Sequence, residues 1–136
     1  MNPELTVDVY RSAAELRAAL RAFSRRSEQL AREAGLTPRQ YLLLLMIKGA
    51  PDGSERSTVT ELAKRLQLSQ STVTELVRRA EDAGFIHREP SADDHRVSWL
   101  HLTTEGGRRL EAAVSRLGPE GRRLRELLRQ FADEDE

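Results

Sequence analysis

The stretch from Thr58 to Gly106, TVTELAKRLQLSQSTVTELVRRAEDAGFIHREPSADDHRVSWLHLTTEG, constrains the fold more than any other part of the chain. Thr58-Val59-Thr60-Glu61 has the form of a capping box and opens a short helix that runs to about Leu66. Gln67 and Leu68 form a tight turn. Ser69 caps a second helix from Gln70 to about Ala83, and Gly84 stops it. Phe85 to Glu89 and Val97 to Leu102 alternate as strands do, around a loop from Pro90 to Arg96. Thr103 then caps a further helix. Two helices, a hairpin and a helix start, in that order, make a winged helix-turn-helix, an architecture that reads duplex DNA.

The flanking segments are helical as well. A first helix is expected from about Val7 to Glu33, with Ala13, Leu16, Leu20, Phe23, Ser27 and Leu30 spaced alternately three and four apart. Such a stripe must be buried, and a partner subunit can cover it. Gly35 ends this helix. Thr37-Pro38-Arg39-Gln40 opens the next with a cap, a first-position proline and a capping box. Leu36 and Tyr41 stand where a hydrophobic staple would form. The run Leu42 to Ile47 is apolar on all sides, which predicts a central, buried helix terminated by Gly49 and Pro51. A two- or three-residue strand is expected near Arg56 to Thr58. Past Thr103, one helix carries Leu110, Ala113, Val114 and Leu117. After a break at Gly118-Pro119, a last one carries Leu124, Leu127, Leu128 and Phe131. The expected fold class is mainly α with a small β-hairpin wing. The expected organisation is an N-terminal dimerisation helix (1–35), a winged helix-turn-helix (36–103), and C-terminal dimerisation helices with an acidic tail (104–136).

Composition narrows the function. With 136 residues, 38% hydrophobic and 4% aromatic, the chain can bury one core built mainly of Leu, Val, Ile and Ala. No apolar run is long enough to span a bilayer and no signal segment is visible, so a cytoplasmic location is the default expectation. The chain has no cysteine, which excludes disulfides and thiolate metal sites. Basic and acidic side chains number 22 each. That balance argues against a polycation that coats nucleic acid, but not against a binder with a local basic surface. The terminal Asp133-Glu134-Asp135-Glu136 reads as a solvated end.

In the helix from Gln70, the inward stripe is Val73, Leu76, Val77 and Ala80. The opposite face carries Gln70, Ser71, Thr74, Glu75 and Arg78, with Arg79 beside it. Gln suits adenine, Arg suits guanine, and Ser or Thr suits either or a phosphate. The helix start at Ser69 favours a phosphate oxygen. Gln70, Ser71 and Thr74 are therefore the candidates for base contacts, and Ser69, Thr72 and Arg78 for backbone or mixed contacts. The plain alternative is the solvated face of an ordinary amphipathic helix. The turn before it and the hairpin after it weigh against that. Glu75 would repel phosphates, so it accepts from a cytosine amino group, pairs with Arg78 or Arg79, or lies off the DNA.

If Glu89 faces Val97 across the hairpin, Ile86, Leu100 and Leu102 share the core face, and His87, Trp99 and His101 share the other. A one-residue slip would invert this. At the tip, Arg96 suits the minor groove, where negative potential is focused. Asp94 can hold its guanidinium by a charge-assisted bond. The alternative is a charged, solvated turn.

Asp94-His95-Arg96, followed through Leu102 by Thr103-Thr104-Glu105-Gly106, resembles the D-x-R wing and L-T-x-x-G exit of the MarR family of bacterial winged-helix transcription regulators. Thr58-x-x-Glu61-Leu62-Ala63 and Leu68-Ser69-x-Ser71-Thr72-Val73-Thr74 extend the resemblance, which covers roughly Leu36 to Leu117. It implies a homodimer whose terminal helices interlock, here with Leu16, Leu20, Phe23, Leu124, Leu127, Leu128 and Phe131. It also implies double-stranded DNA as partner, a pseudo-palindromic operator, repression as the default outcome, and a bacterial cytoplasm with the protein on the nucleoid. Arg96 becomes the minor-groove arginine, Asp94 its support, and His95 stands where relatives often carry Arg or Lys. That exchange lowers the wing charge near neutral pH. Many relatives release DNA on binding a small, often aromatic or phenolic, effector. Tyr10, Phe23, Arg39, Tyr41 and His101 are the conceivable pocket residues, against core packing as the plainer reading of the aromatics.

Other functions fit less well. His87, His95 and His101 are the only histidines, and no carboxylate pair has a spacing that makes a site, so an enzyme is not expected. No cofactor or metal is expected either; a metal sensor on His87 and His101 competes poorly with exposed wing histidines. The stronger rival is a winged-helix module in which the Gln70 face meets a protein. Such a module has no need of a wing arginine with an acidic brace.

Overall fold

The computed structural model describes residues 5–134. Six helices and three strands follow in order: α1 (Val7–Glu33), α2 (Pro38–Lys48), β1 (Arg56–Ser57), α3 (Val59–Leu66), α4 (Gln70–Asp82), β2 (Ile86–Pro90), β3 (Ser98–Leu102), α5 (Thr104–Val114) and α6 (Gly118–Glu134). The capping residues set most of these boundaries. Thr37 and Thr58 both form full capping boxes, with Gln40 and Glu61. Ser69 accepts from the Thr72 N–H, and Thr103 from the Gly106 N–H. Each cap satisfies helix-start donors that would otherwise lack partners.

The core forms where α2 meets its neighbours. Leu30 and Ala31 of α1, Leu43, Leu44 and Ile47 of α2, Leu62 of α3, and Val73, Val77 and Ala80 of α4 are buried together with Ile86, Leu100, Leu110 and Ala113. Leu36 and Tyr41 are both buried at the start of α2. The expectation that α2 is buried all round is corrected at Leu42, which is 43% exposed. One face of α2 looks away from the core, and an unbroken apolar run cannot show which face that is. Val114 likewise lies at the margin of its helix stripe and is exposed.

The strands form one antiparallel sheet in the order β1-β3-β2. Glu89 pairs with Trp99, not with Val97. The turn lies further along the chain than the sequence suggests: β2 runs on to Pro90, β3 begins only at Ser98, and Ser91 N–H donates to the Val97 carbonyl at 3.0 Å to close the tip. The register differs from expectation by two residues, and an even slip leaves every side chain on its expected face. Ile86 and Leu100 are buried, and His87, Trp99 and His101 share the outer face.

Beyond the winged part, α6 packs on α1. Arg116 donates to Glu33 at 3.1 Å, which ties the end of α5 to the end of α1. Asp133 and Glu134, expected in a solvated tail, continue α6; Asp135 and Glu136 lie outside the described residues. No helix among the described residues is long and apolar enough to cross a membrane.

Candidate nucleic-acid interface

Helix α4 is set by the turn before it. Gln67 takes the left-handed conformation, with φ 55°, and caps α3. The chain can therefore reverse within Gln67 and Leu68 and start again at Ser69. The Ser69 hydroxyl caps α4 through Thr72 N–H at 3.2 Å and also lies 2.8 Å from the Thr72 hydroxyl and 3.2 Å from that of Ser71. Val73, Val77 and Ala80 face the core, while Gln70, Ser71, Thr74, Arg78 and Arg79 are exposed and Thr72 is half-buried. The polar face expected from the sequence is therefore presented to solvent as one surface.

Glu75 resolves in one of the three expected ways. Its carboxylate accepts from Arg78 Nε at 3.0 Å and from Arg79 Nε at 3.1 Å. Arg78 Nη1 reaches Asp82 at 3.2 Å. The donated bonds of Arg78 and then Arg79 hold the Glu75 carboxyl at a pKa of about 2, well below its ordinary range. Asp82 as a second anchor for Arg78 is missed at the sequence level, although its spacing of four from Arg78 was available.

The wing tip is built around Asp94. Its Oδ1 accepts from the Arg96 backbone N–H at 3.0 Å and from Arg96 Nε at 3.2 Å. These bonds, the backbone one first, lower the Asp94 pKa. The brace expected from sequence is present, and it holds an Arg96 side chain that is 91% exposed. His95 is exposed beside it. On the outer face of the sheet, Arg56 stacks on Trp99 with its guanidinium carbon 4.0 Å from the ring centroid. His87 and His101 stack nearly parallel at 5.1 Å. Glu89 lies 2.9 Å from His101 Nε2, out of line for a hydrogen bond. No group of three metal-ligating side chains converges among the described residues.

The exit of the wing is fixed to the exit of α4. Gly84 turns with φ +83°. Thr103 Oγ1 donates to the Gly84 carbonyl at 2.6 Å, and Thr103 N–H to the Phe85 carbonyl at 3.0 Å. Gly106 allows this approach, because a Cβ there would stand 2.2 Å from the Phe85 carbonyl oxygen. The Leu102-Thr103-x-x-Gly106 spacing thus fixes how the hairpin leaves α4, and with it where Arg96 points.

Of the expected interface residues on the terminal helices, Leu124 faces inward and is buried within the chain; Leu16, Phe23 and Leu127 are half-buried. Leu20, Leu128 and Phe131 are exposed. Of the conceivable pocket residues, Phe23 and Tyr41 come together, with Ser27, Leu42 and Leu45, around a cavity of about 150 Å³ between α1 and α2. Tyr10 is exposed on α1, Arg39 is exposed on α2, and His101 belongs to the sheet.

A sequence profile of the MarR family matches residues 34–97. The organic hydroperoxide resistance transcriptional regulator of Bacillus subtilis is 31% identical over 99 residues, covering 73% of this chain and 65% of its own length. The HTH-type transcriptional repressor YetL of the same organism is 36% identical over 77 residues, covering 57% and 45%. The crystal structure of Sco3205, a MarR family transcriptional regulator from Streptomyces coelicolor in complex with DNA, superposes with a TM-score of 0.65 at 28% identity, covering 98% of this chain and 91% of that one. This chain belongs to the MarR family. The part shared with the MarR profile contains α2 to α4 and the wing tip, hence Ser69 to Arg79 and Asp94 to Arg96; α1, α5 and α6 fall outside it. The matched stretch spans between roughly half and two thirds of the two Bacillus relatives. Both are transcriptional regulators by name.

Proposed function

We propose that the chain is a sequence-specific DNA-binding transcription regulator that acts as a homodimer on a pseudo-palindromic site in the bacterial cytoplasm. The observation that carries this is the wing arginine. Arg96 is almost fully exposed, yet Asp94 orients it from two directions. An exposed guanidinium held in place beside a capped, polar helix suits a groove of duplex DNA, where preorganisation lowers the entropy lost on binding. Gln70, Ser71 and Thr74 take base edges, with Ser69 and Thr72 near phosphates. Arg78 and Arg79 belong to the same face, though Glu75 holds both in the free protein.

The exposed apolar side chains support the dimer. Val7, Val9 and Tyr10 lie near the start of α1, Leu20 further along it, and Leu128 and Phe131 on α6. They belong to the two segments outside the reading head, the proposed dimerisation regions 1–35 and 104–136, with 36–103 between them as the DNA-binding part. Repression is the proposed outcome, as the name of YetL has it for that relative. A small aromatic effector is proposed for the cavity at Phe23 and Tyr41. Its volume of about 150 Å³ is of the size that admits a single benzene-like ring.

In vitro selection from random duplexes tests the reading. It should return a two-fold symmetric site whose half-sites lie about one helical turn, roughly 10 bp, apart. Arg96→Ala should weaken binding to that site by about 1–3 kcal/mol at fixed salt, the loss of one good groove contact. No enriched sequence would overturn the proposal, and an unchanged affinity would overturn the role of Arg96.

A further inference from the structure

Between Gln70 and Leu102, four arginines stand against six acidic side chains. Each of the four has a carboxylate partner within the chain: Arg78 and Arg79 at Glu75, Arg88 at Glu81, and Arg96 at Asp94. On the wing this pairing orients an exposed cation. On α4 it occupies the cations. Arg78 donates Nε and Nη2 to Glu75 and Nη1 to Asp82, so every nitrogen of its guanidinium already meets a carboxylate oxygen. Arg79 shares the same Glu75 oxygen. A phosphate that approaches Arg78 must displace a carboxylate, and one that approaches Arg79 must lie beside Glu75. Glu75 stays ionised throughout the neutral range, so protonation does not relieve this.

We propose that Glu75 is a specificity-determining positioning residue, which withholds Arg78 and Arg79 from sequence-blind phosphate contacts and leaves the reading of α4 to the uncharged Gln70, Ser71 and Thr74. Glu75 acts as an internal competitor for phosphate. The inference rests on the proposed DNA-binding function. Phosphate contacts supply most nonspecific affinity and nearly all of its salt dependence. A reading helix with occupied arginines therefore binds random DNA weakly and gains most of its hold from matched bases.

The experiment measures fluorescence anisotropy on the selected duplex and on a scrambled duplex of equal length and composition, across a salt series at pH 7.5. Wild type is compared with Glu75→Gln. The substitution removes the carboxylate partner of Arg79 and leaves Arg78 with Asp82 alone, so binding to the scrambled duplex should tighten several-fold or more. The plot of log K against log salt should steepen by about one to two units. The selected duplex should gain less, so the specificity ratio falls. Adding Arg78→Gln and Arg79→Gln to Glu75→Gln should restore the shallow slope. Asp82→Asn, which releases one nitrogen of Arg78 and leaves Glu75 in place, should move the slope in the same direction by less and serves if Glu75→Gln folds poorly. Unchanged slopes and ratios in both variants overturn the inference, as does equal weakening on both duplexes, the mark of a merely structural role. Failure of wild type to prefer any duplex overturns the DNA reading itself, and this inference with it.

Discussion

Gly106→Ala should unfasten the wing from α4, and its neighbour supplies the control. A Cβ at Gly106 would lie 2.2 Å from the Phe85 carbonyl oxygen, 3.0 Å from the carbonyl carbon and 3.1 Å from Cα. Carbon-to-oxygen contacts ordinarily begin near 3.3 Å, so the start of α5 must retreat by about 1 Å. The obstacle is backbone at the start of β2 and cannot rotate away. Overpacking of this kind costs about 1–3 kcal/mol. The retreat also stretches the Thr103 bonds to Gly84 and Phe85, now 2.6 and 3.0 Å, each worth about 0.5–1.5 kcal/mol net. Alanine recovers less than about 1 kcal/mol in helix propensity. The expected net loss is about 2–4 kcal/mol, or a fall in melting temperature of about 8–16 °C for a domain of this size. Gly107 has nothing within 4 Å of its added Cβ, so Gly107→Ala should be neutral or stabilising. Circular dichroism melts at equal protein concentration compare the two, since association also moves the midpoint. A Gly106→Ala protein that melts within about 2 °C of Gly107→Ala would refute the packing argument.

Three other outcomes are expected. Asp94→Ala releases the Arg96 brace and should weaken binding to the selected duplex several-fold, less than Arg96→Ala does; an equal affinity in an anisotropy titration would show that the brace does not matter. Leu128→Glu with Phe131→Glu places charge on the exposed apolar side of α6 and should convert a dimer to a monomer by light scattering at micromolar protein; a persistent dimer would remove α6 from the interface. The Glu105 carboxyl is held at about 2, against an ordinary 4.5, by bonds donated first from Arg108 and then from Arg109. Because the folded pKa is depressed, its contribution is present above about 4.5 and is lost as pH falls toward 2. Glu105→Gln should flatten the decline of thermal stability across that window, and Glu75 adds a decline of the same sign.

The helix ends were legible in the sequence because capping is local. Thr37, Thr58, Ser69 and Thr103 each act on residues three positions away, so the signal and its effect lie in one window. Core faces were legible for the same reason: periodicity assigned Val73, Val77, Ile86 and Leu100 to the interior. The hairpin register was not legible, because it depends on where along the chain the Ser91 to Val97 bond closes the tip. The faces survived only because the slip was even. Leu42 could not be placed, since an all-apolar run has no weak side. At the candidate site, the Asp94 and Arg96 brace spans two residues and could be read directly. The contact of Gly106 with Phe85 joins positions far apart in the chain, and Arg109 reaches 74 residues back to donate to Gly35 at 3.2 Å. Only the folded chain brings such pairs together.

The charge arrangement gives the proposed dimer a physical role. A head whose α4 and wing arginines all have internal carboxylate partners has little general attraction for DNA, and a chain with 22 charges of each sign adds no long-range pull. One head must then depend on a few base and groove contacts. Two heads on one scaffold change the balance, since once the first is seated the second binds at high effective concentration and needs little nonspecific hold of its own. On this argument the neutral reading face and the apolar terminal helices are two halves of one solution. The first keeps a single head from staying on unmatched DNA. The second makes a matched pair of half-sites, at the spacing set by the scaffold, bind far more tightly than either half alone.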